Sequence, residues 1–177
     1  MAAAFAAHAT TVIPPTFEDL VSRAQTIFQG TVTGVRSEWT GEGAQRHIAT
    51  YVTFKVNEML KGPAENEVML QMLGGTVGDR TMEVTDAPKF KVGDRDILFV
   101  ENNGTQFIPL VGIMHGRFRV KNDDAGQEIV TTNDGAAVSD LAQMGRDGQA
   151  AAGARGLTAR EFKQSIRSAV TGVKNTP

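Results

Sequence analysis

The sequence predicts a mainly β fold: an antiparallel barrel, closed or partly open, with a short helix before it and an amphipathic helix after it. Three observations predict it. Nineteen glycines stand beside nine Phe, one Tyr and one Trp, among runs rich in Val, Thr, Ile and Phe, the composition of short strands joined by tight turns. Residues 47–60 alternate apolar and polar side chains with a period of two. Helical periodicity is confined to one segment near each end. With 177 residues, 41% of them hydrophobic, the chain suffices for one core and falls short of a second.

Residues 1–15 form the entry. Met1 to Ala9 reads as a small apolar stretch ending in Ala7-His8-Ala9, the A-x-A pattern that signal peptidase accepts, so a signal-peptide remnant with cleavage near Ala9, or a flexible N-terminus, is expected here. The mature chain is then expected to be secreted or periplasmic. Pro14-Pro15 stiffens the approach to the first helix, and Thr16 with Asp19 three residues on makes a capping box. Phe17, Leu20, Val21 and Ala24 then fall on one stripe of that short helix.

The barrel is expected over residues 16–133. Thr26 to Arg36 is β-branched, with Gly30 and Gly34 allowing a bend or bulge in a long strand. Ser37 to Arg46, which carries Trp39, is polar and glycine-containing, as an exposed hairpin tip would be. His47 to Leu60 is the clearest strand, with Thr50, Val52, Phe54 and Val56 on one face. Glu67 to Leu73 and Asp96 to Glu101 follow, the second apolar on both faces through Ile97, Leu98, Phe99 and Val100 and therefore central. Asn102-Asn103-Gly104 is a turn leading to a strand over Thr105 to Gly112. Gly116 to Lys121 alternates again, Asn122 to Gly126 turns the chain, and Glu128 to Thr132 completes six or seven strands. Residues 134–156, rich in Gly and Ala, have the composition of a linker. Over 157–172, Thr158 caps a helix with Glu161 in the capping-box position, and Phe162 and Ile166 carry its apolar stripe. That stripe docks either on its own barrel or on a neighbouring molecule, so self-association through the C-terminal helix is a further expectation.

These elements resemble the OB-fold in the variant of the tissue inhibitors of metalloproteinases and netrin C-terminal modules. The resemblance covers residues 16 to 121. It rests on the helix ending at Ala24, on Ile27-Phe28-Gln29-Gly30-Thr31-Val32, on Val52-Thr53-Phe54-Lys55-Val56 with Leu60-Lys61-Gly62, and on Phe90-x-x-Gly93-Asp94 leading to Ile97-Leu98-Phe99-Val100. These are core and turn positions, so the resemblance implies architecture. The family's protease inhibitors place an N-terminal cysteine on the protease zinc; this chain has no cysteine, and no inhibitory residue carries over. The resemblance implies an exported module like the family's cysteine-poor bacterial members.

Chemistry is sparse along the chain. The missing cysteines remove disulfides, thiolate nucleophiles and thiolate-ligated metals. Eighteen Lys and Arg balance twenty Asp and Glu, which disfavours nucleic acid as a partner. The basic stripe Arg117, Arg119 and Lys121 has only Tyr51 as a stacking neighbour, so cross-strand charge pairing is the better reading. Gly74 to Asp79 precedes an extended segment and no helix, unlike a phosphate loop, and is read as a flexible loop between strands. Asn122-Asp123-Asp124 lacks the spacing of a calcium loop. No G-x-S-x-G or S-x-x-K motif occurs, and no stretch of eighteen apolar residues that would span a bilayer. The reading is an exported, non-catalytic binding or protein-interaction module without cofactor or metal, whose loops contact a protein or glycan outside the cytoplasm. Trp39, Gly74, Gly75, Asp79, Asn102 and Asn103 are its candidate contact residues. The alternative is a small hydrolase or metal-dependent enzyme with a site near His47 and His115.

Overall fold

The structure is a computed structural model that describes residues 14–145 and 155–172. The A-x-A stretch and the middle of the Gly/Ala-rich segment lie outside those residues. Helix α1 (Phe17–Arg23) opens with the expected capping box: Thr16 Oγ1 accepts from Asp19 N–H and the Asp19 carboxylate accepts from Thr16 N–H, both at 3.1 Å. Its stripe of Phe17, Leu20 and Val21 is buried.

Eight strands come after it: β1 (Thr26–Thr40), β2 (His47–Lys61), β3 (Glu67–Leu73), β4 (Gly75–Val77), β5 (Arg80–Met82), β6 (Arg95–Val100), β7 (Arg117–Asn122) and β8 (Glu128–Thr131). Six of them form one antiparallel sheet in the order β3-β2-β1-β6-β7-β8, and β4 and β5 form a separate hairpin. The order β6-β1-β2-β3 is a Greek key, in which the fourth long strand returns beside the first. The sheet is not closed. The β1–β2 register shifts at Ile27/Phe28, Gln29/Gly30 and Val32/Gly34: the extra residue lies on β2 at the first two, Leu60 and Asn57, and on β1 at the third, Thr33, beside the Gly34 that suggested a bulge.

Because strand side chains alternate faces, the sheet carries a core on each side. On one side α1 and the C-terminal helix α2 (Ala159–Val170) pack over Ile27, Ile97, Phe99, Phe118 and Val130. Phe162 of α2 meets Phe118 at 4.8 Å and Phe17 at 6.0 Å between ring centres. The other core contains Phe28, Val32, Val52, Phe54, Leu70, Leu98 and Leu110. Strand β6 supplies both, through Ile97 and Phe99 on one face and Leu98 and Val100 on the other. The apolar stripe of α2 is thus spent on its own sheet, and Lys163 ties the helix down by donating to Gln29 Oε1 and Glu58 Oε2, both at 2.7 Å.

The two terminal strands of the sheet, β3 and β8, are covered along their outer edges. Asn103 caps β3, its Oδ1 accepting from Gln71 N–H at 3.2 Å and its Nδ2 donating to the Met69 carbonyl at 2.8 Å. Leu73 N–H adds a bond to the Phe107 carbonyl. At β8, Val138 and Leu157 exchange backbone bonds with Val130 and with each other.

Four expectations are corrected. Trp39 lies on β1 opposite Ile48 and not on a loop tip, since pairing with β2 runs to Thr40. Residues 105–112 make no strand beyond one bridge of Leu110 to Val100; Pro109 has no N–H to donate, and Gly112 and Ile113 both take left-handed φ. Gly74 to Asp79 is no loose loop, because Gly74 and Gly75, at φ +98° and +133°, bend the chain into the paired hairpin β4–β5. Residues 134–145 do not behave as a linker: Val138 is buried in the helix-side core, with Leu141 and Met144 packed against it.

Candidate functional site

The hairpin β4–β5 folds back over the face of β1 and β2. Gly74 N–H donates to the Ile48 carbonyl at 2.8 Å, and Thr50 Oγ1 donates to the Gly74 carbonyl at 2.6 Å while lying 2.8 Å from Ser37 Oγ. A Cβ on Gly75 would run into the Ser37 and Thr50 hydroxyls, so only glycine allows the crossing this close. Residues 83–90 then return along the sheet as a strap. Between sheet, hairpin and strap lies a cleft of about 640 Å³, within the range of small-ligand and peptide side-chain sites.

The lining is apolar at its base, through Val35, Val52, Met72, Met82, Val84 and Phe90. The hydroxyls of Ser37, Thr50, Thr76 and Thr81 are distributed along it, and Glu83, Asp86 and Lys89 stand along the strap. Glu83 and Lys89 pair with each other at 3.2 Å, both well exposed. Such a surface offers van der Waals contact and hydroxyl hydrogen bonds, with methionines that adapt to shape.

A buried ion pair holds the strap in place. Arg117 sits on the side of β7 away from α2 and is buried, and it makes the cross-strand charge pairing expected of it, with Asp96 of β6. Its Nε and Nη2 donate to the two carboxylate oxygens of Asp96, at 3.0 and 3.1 Å. Nη2 also donates to Asp94 Oδ2 at 2.8 Å, and Nη1 to the Lys89 carbonyl at 2.8 Å and to Asn133 Oδ1. The guanidinium lies 4.0 Å from the centre of the Phe90 ring. Burial pushes the Asp96 carboxyl above its ordinary range, a shift that Arg117 opposes. All five Arg117 donors are engaged, and one acceptor, the Lys89 carbonyl, belongs to the strap while another, Asp94, lies between the strap and β6.

The sequence-predicted residues divide. Gly74 and Gly75 line the cleft. Trp39 continues the row of Val35 and Ser37 on β1, its indole under the Arg46 guanidinium at 4.7 Å. Asp79 is exposed at the tip of β4–β5, outside the lining. Asn102 and Asn103 are engaged internally, Asn102 donating its N–H to Gln25 Oε1 and Asn103 capping β3. Asp123 accepts from Ala125 and Gln127 N–H as a hairpin turn does.

His47 and His115 are not brought together. His47 pairs with Thr40 at one end of β1, while His115 precedes the β7 residues that pair with β6, which meets β1 only from Thr26 to Thr31. Burial pushes the His115 imidazole below its ordinary pKa, with Asp134 and Asp86 acting against it. Among the described residues no group of three His, Asp or Glu is placed to hold a metal ion, and no helix is long and apolar enough to cross a membrane.

Sequence reasoning missed the strap and its Arg117 clamp. Arg117 and Asp96 are 21 residues apart and each looks like a surface charge; the one local hint is Asp96 opening an otherwise apolar strand. No family model, no curated protein and no solved structure matches the chain.

Proposed function

We propose that the chain is an exported, non-catalytic binding module that seats a segment of a partner protein in the cleft between the sheet and the strap. The observation that carries this reading is the cleft itself: a base of Val35, Val52, Met72 and Phe90 with hydroxyls set along it, reached past Gly74 and Gly75. An apolar base with scattered hydroxyls suits apolar peptide side chains better than a sugar, which stacks on aromatic faces, and Phe90 is the single aromatic residue of the lining. The Greek-key order β6-β1-β2-β3, continued by β7, is consistent with a five-stranded OB-fold-like barrel left open between β3 and β7. Export rests on Ala7-His8-Ala9.

Screening against a random peptide library and a glycan array tests the reading, with Thr81→Trp beside the wild type. Thr81 is exposed and lines the cleft, so an indole there fills it without entering the core. Peptides bound by the wild type should weaken at least about tenfold in Thr81→Trp at an unchanged melting temperature. No bound peptide, glycans bound in their place, or peptide binding that ignores the filled cleft would each overturn it.

A further inference from the structure

Among the described residues, no second strand pairs with β1 along half its length. Pairing with β2 extends to Thr40, but pairing with β6 ends at Thr31. Beyond that, Val32 N–H donates to the Asp94 carbonyl at 2.8 Å and Gly93 N–H to the Val32 carbonyl at 2.9 Å, after which the strap turns away.

Which backbone groups are left over is set by register. On β2, the Ile48 carbonyl accepts from Gly74 N–H and Val56 N–H donates to the Asn66 carbonyl, so even-numbered residues turn toward β3 and odd-numbered ones toward β1. The odd residues Thr53, Tyr51, Ala49 and His47 pair with Gly34, Arg36, Glu38 and Thr40. The N–H and C=O of Val35, Ser37 and Trp39 therefore point away from β2, and no described residue supplies them a partner. Val35 and Trp39 are also among the exposed large apolar side chains, at 40% and 39%.

We propose that this edge pairs with the same edge of a second copy of the chain, antiparallel about Ser37, joining two sheets into one. In that register Ser37 faces Ser37, Val35 faces Trp39, and Gly34 faces Thr40, so each of the odd-numbered pairs exchanges two backbone hydrogen bonds. Arg36 of each copy then stands opposite Glu38 of the other. Slipping by two residues in either direction sets Arg36 against Arg36 or Glu38 against Glu38, which is unfavourable for directly opposed side chains. Charge thus selects one register out of those the backbone allows, and the two exposed apolar residues are covered in it. An isologous contact of this kind closes as a dimer and does not propagate.

Sedimentation equilibrium of the full chain over a micromolar-to-millimolar series tests this with two variants. Arg36→Glu opposes like charges at both places and should raise the dimer dissociation constant by more than about tenfold. Arg36→Glu/Glu38→Arg restores the opposition with signs exchanged and should return it to the wild-type range. Both residues are exposed, and circular dichroism checks that each variant is folded. Thr81→Trp should dimerise like the wild type, which separates this edge from the cleft. A wild type that stays monomeric throughout overturns the proposal, as does an edge that takes up an extended peptide in place of a second copy. A dimer indifferent to Arg36→Glu, or one the double variant fails to restore, also overturns it.

Discussion

From Thr26 to Val32, β1 is hydrogen-bonded on both edges and buried over most of both faces; from Thr33 to Thr40 it pairs with β2 on one edge and with no described strand on the other, and none of its residues is buried. Each half mixes β-branched residues with glycine, but the inner half adds Ile27 and Phe28 where the outer adds Arg36, Ser37 and Glu38. The partner changes as well. The bulge between Val32 and Gly34 falls where β6 gives way to the Gly93–Asp94 turn, and beyond it the backbone carries hydrogen-bonding groups that no described residue engages. The first half joins β2 to β6, and the second pairs with β2 alone among the described strands.

The sharpest break of this contrast is a truncation in each half. Phe28 is fully buried, with its ring 5.6 Å from that of Phe54. Phe28→Ala should cost about 4 kcal/mol in chemical denaturation, the loss expected when a large aromatic leaves a packed core. Trp39→Ala removes a residue that is 39% exposed and should cost less than about 1 kcal/mol. Comparable losses at the two sites would mean that the outer half is structural after all.

The boundary between the halves depends on the Arg117 clamp. Arg117→Met leaves the Asp96 carboxylate, which has no exposed surface, without its cation, and at neutral pH this should destabilise the chain by about 3 kcal/mol. Burial already raises the Asp96 pKa, and losing Arg117 raises it further. A carboxyl with a raised folded-state pKa stabilises the fold below its unfolded value of 3.8 and loses that contribution as pH rises through the folded value. The deficit of Arg117→Met should therefore shrink as pH falls toward about 4, as read by urea titration at several pH values. A deficit constant across that range would mean that lost packing on Phe90, and not an unpaired charge, dominates.

How far this architecture is legible in the sequence depends on the range of the forces that make it. Both capping boxes, Thr16 with Asp19 and Thr158 with Glu161, are satisfied within three residues and can be read directly. Strands β2, β3 and β6 bury a face or two, and burial imprints a period. The outer half of β1 buries neither face, so Ser37, Glu38 and Thr40 look like a loop with Trp39 at its tip. Gly74 and Gly75 stand out as special in the sequence, but the reason is an approach to Ser37 and Thr50, remote along the chain. The Arg117–Asp96 pair leaves no periodic trace because a long-range ion pair needs only two residues. For Gly75 and for Arg117 the deciding partner is distant along the chain.

The smallest effect expected is titration of His115, in the short helical turn Ile113–Gly116 that leads into β7. Its ring is partly buried, and that burial lowers its pKa from the ordinary 6.5 although Asp134 and Asp86 favour the cation. A base whose folded-state pKa is depressed contributes stability above its unfolded value and loses it as pH falls through the folded one, because the unfolded chain takes up the proton first. Acidification from about pH 8 to about pH 5 should therefore lower the melting temperature of the wild type more than that of His115→Gln. The ring keeps contact with solvent, which screens the charge, so the difference should be no more than about 2 °C. Parallel melting curves for the two proteins would show that His115 changes its proton without the fold responding. A larger gap would show that the irregular stretch around Ile113 is more tightly coupled to the paired half of β1 than its single bridge from Leu110 to Val100 suggests.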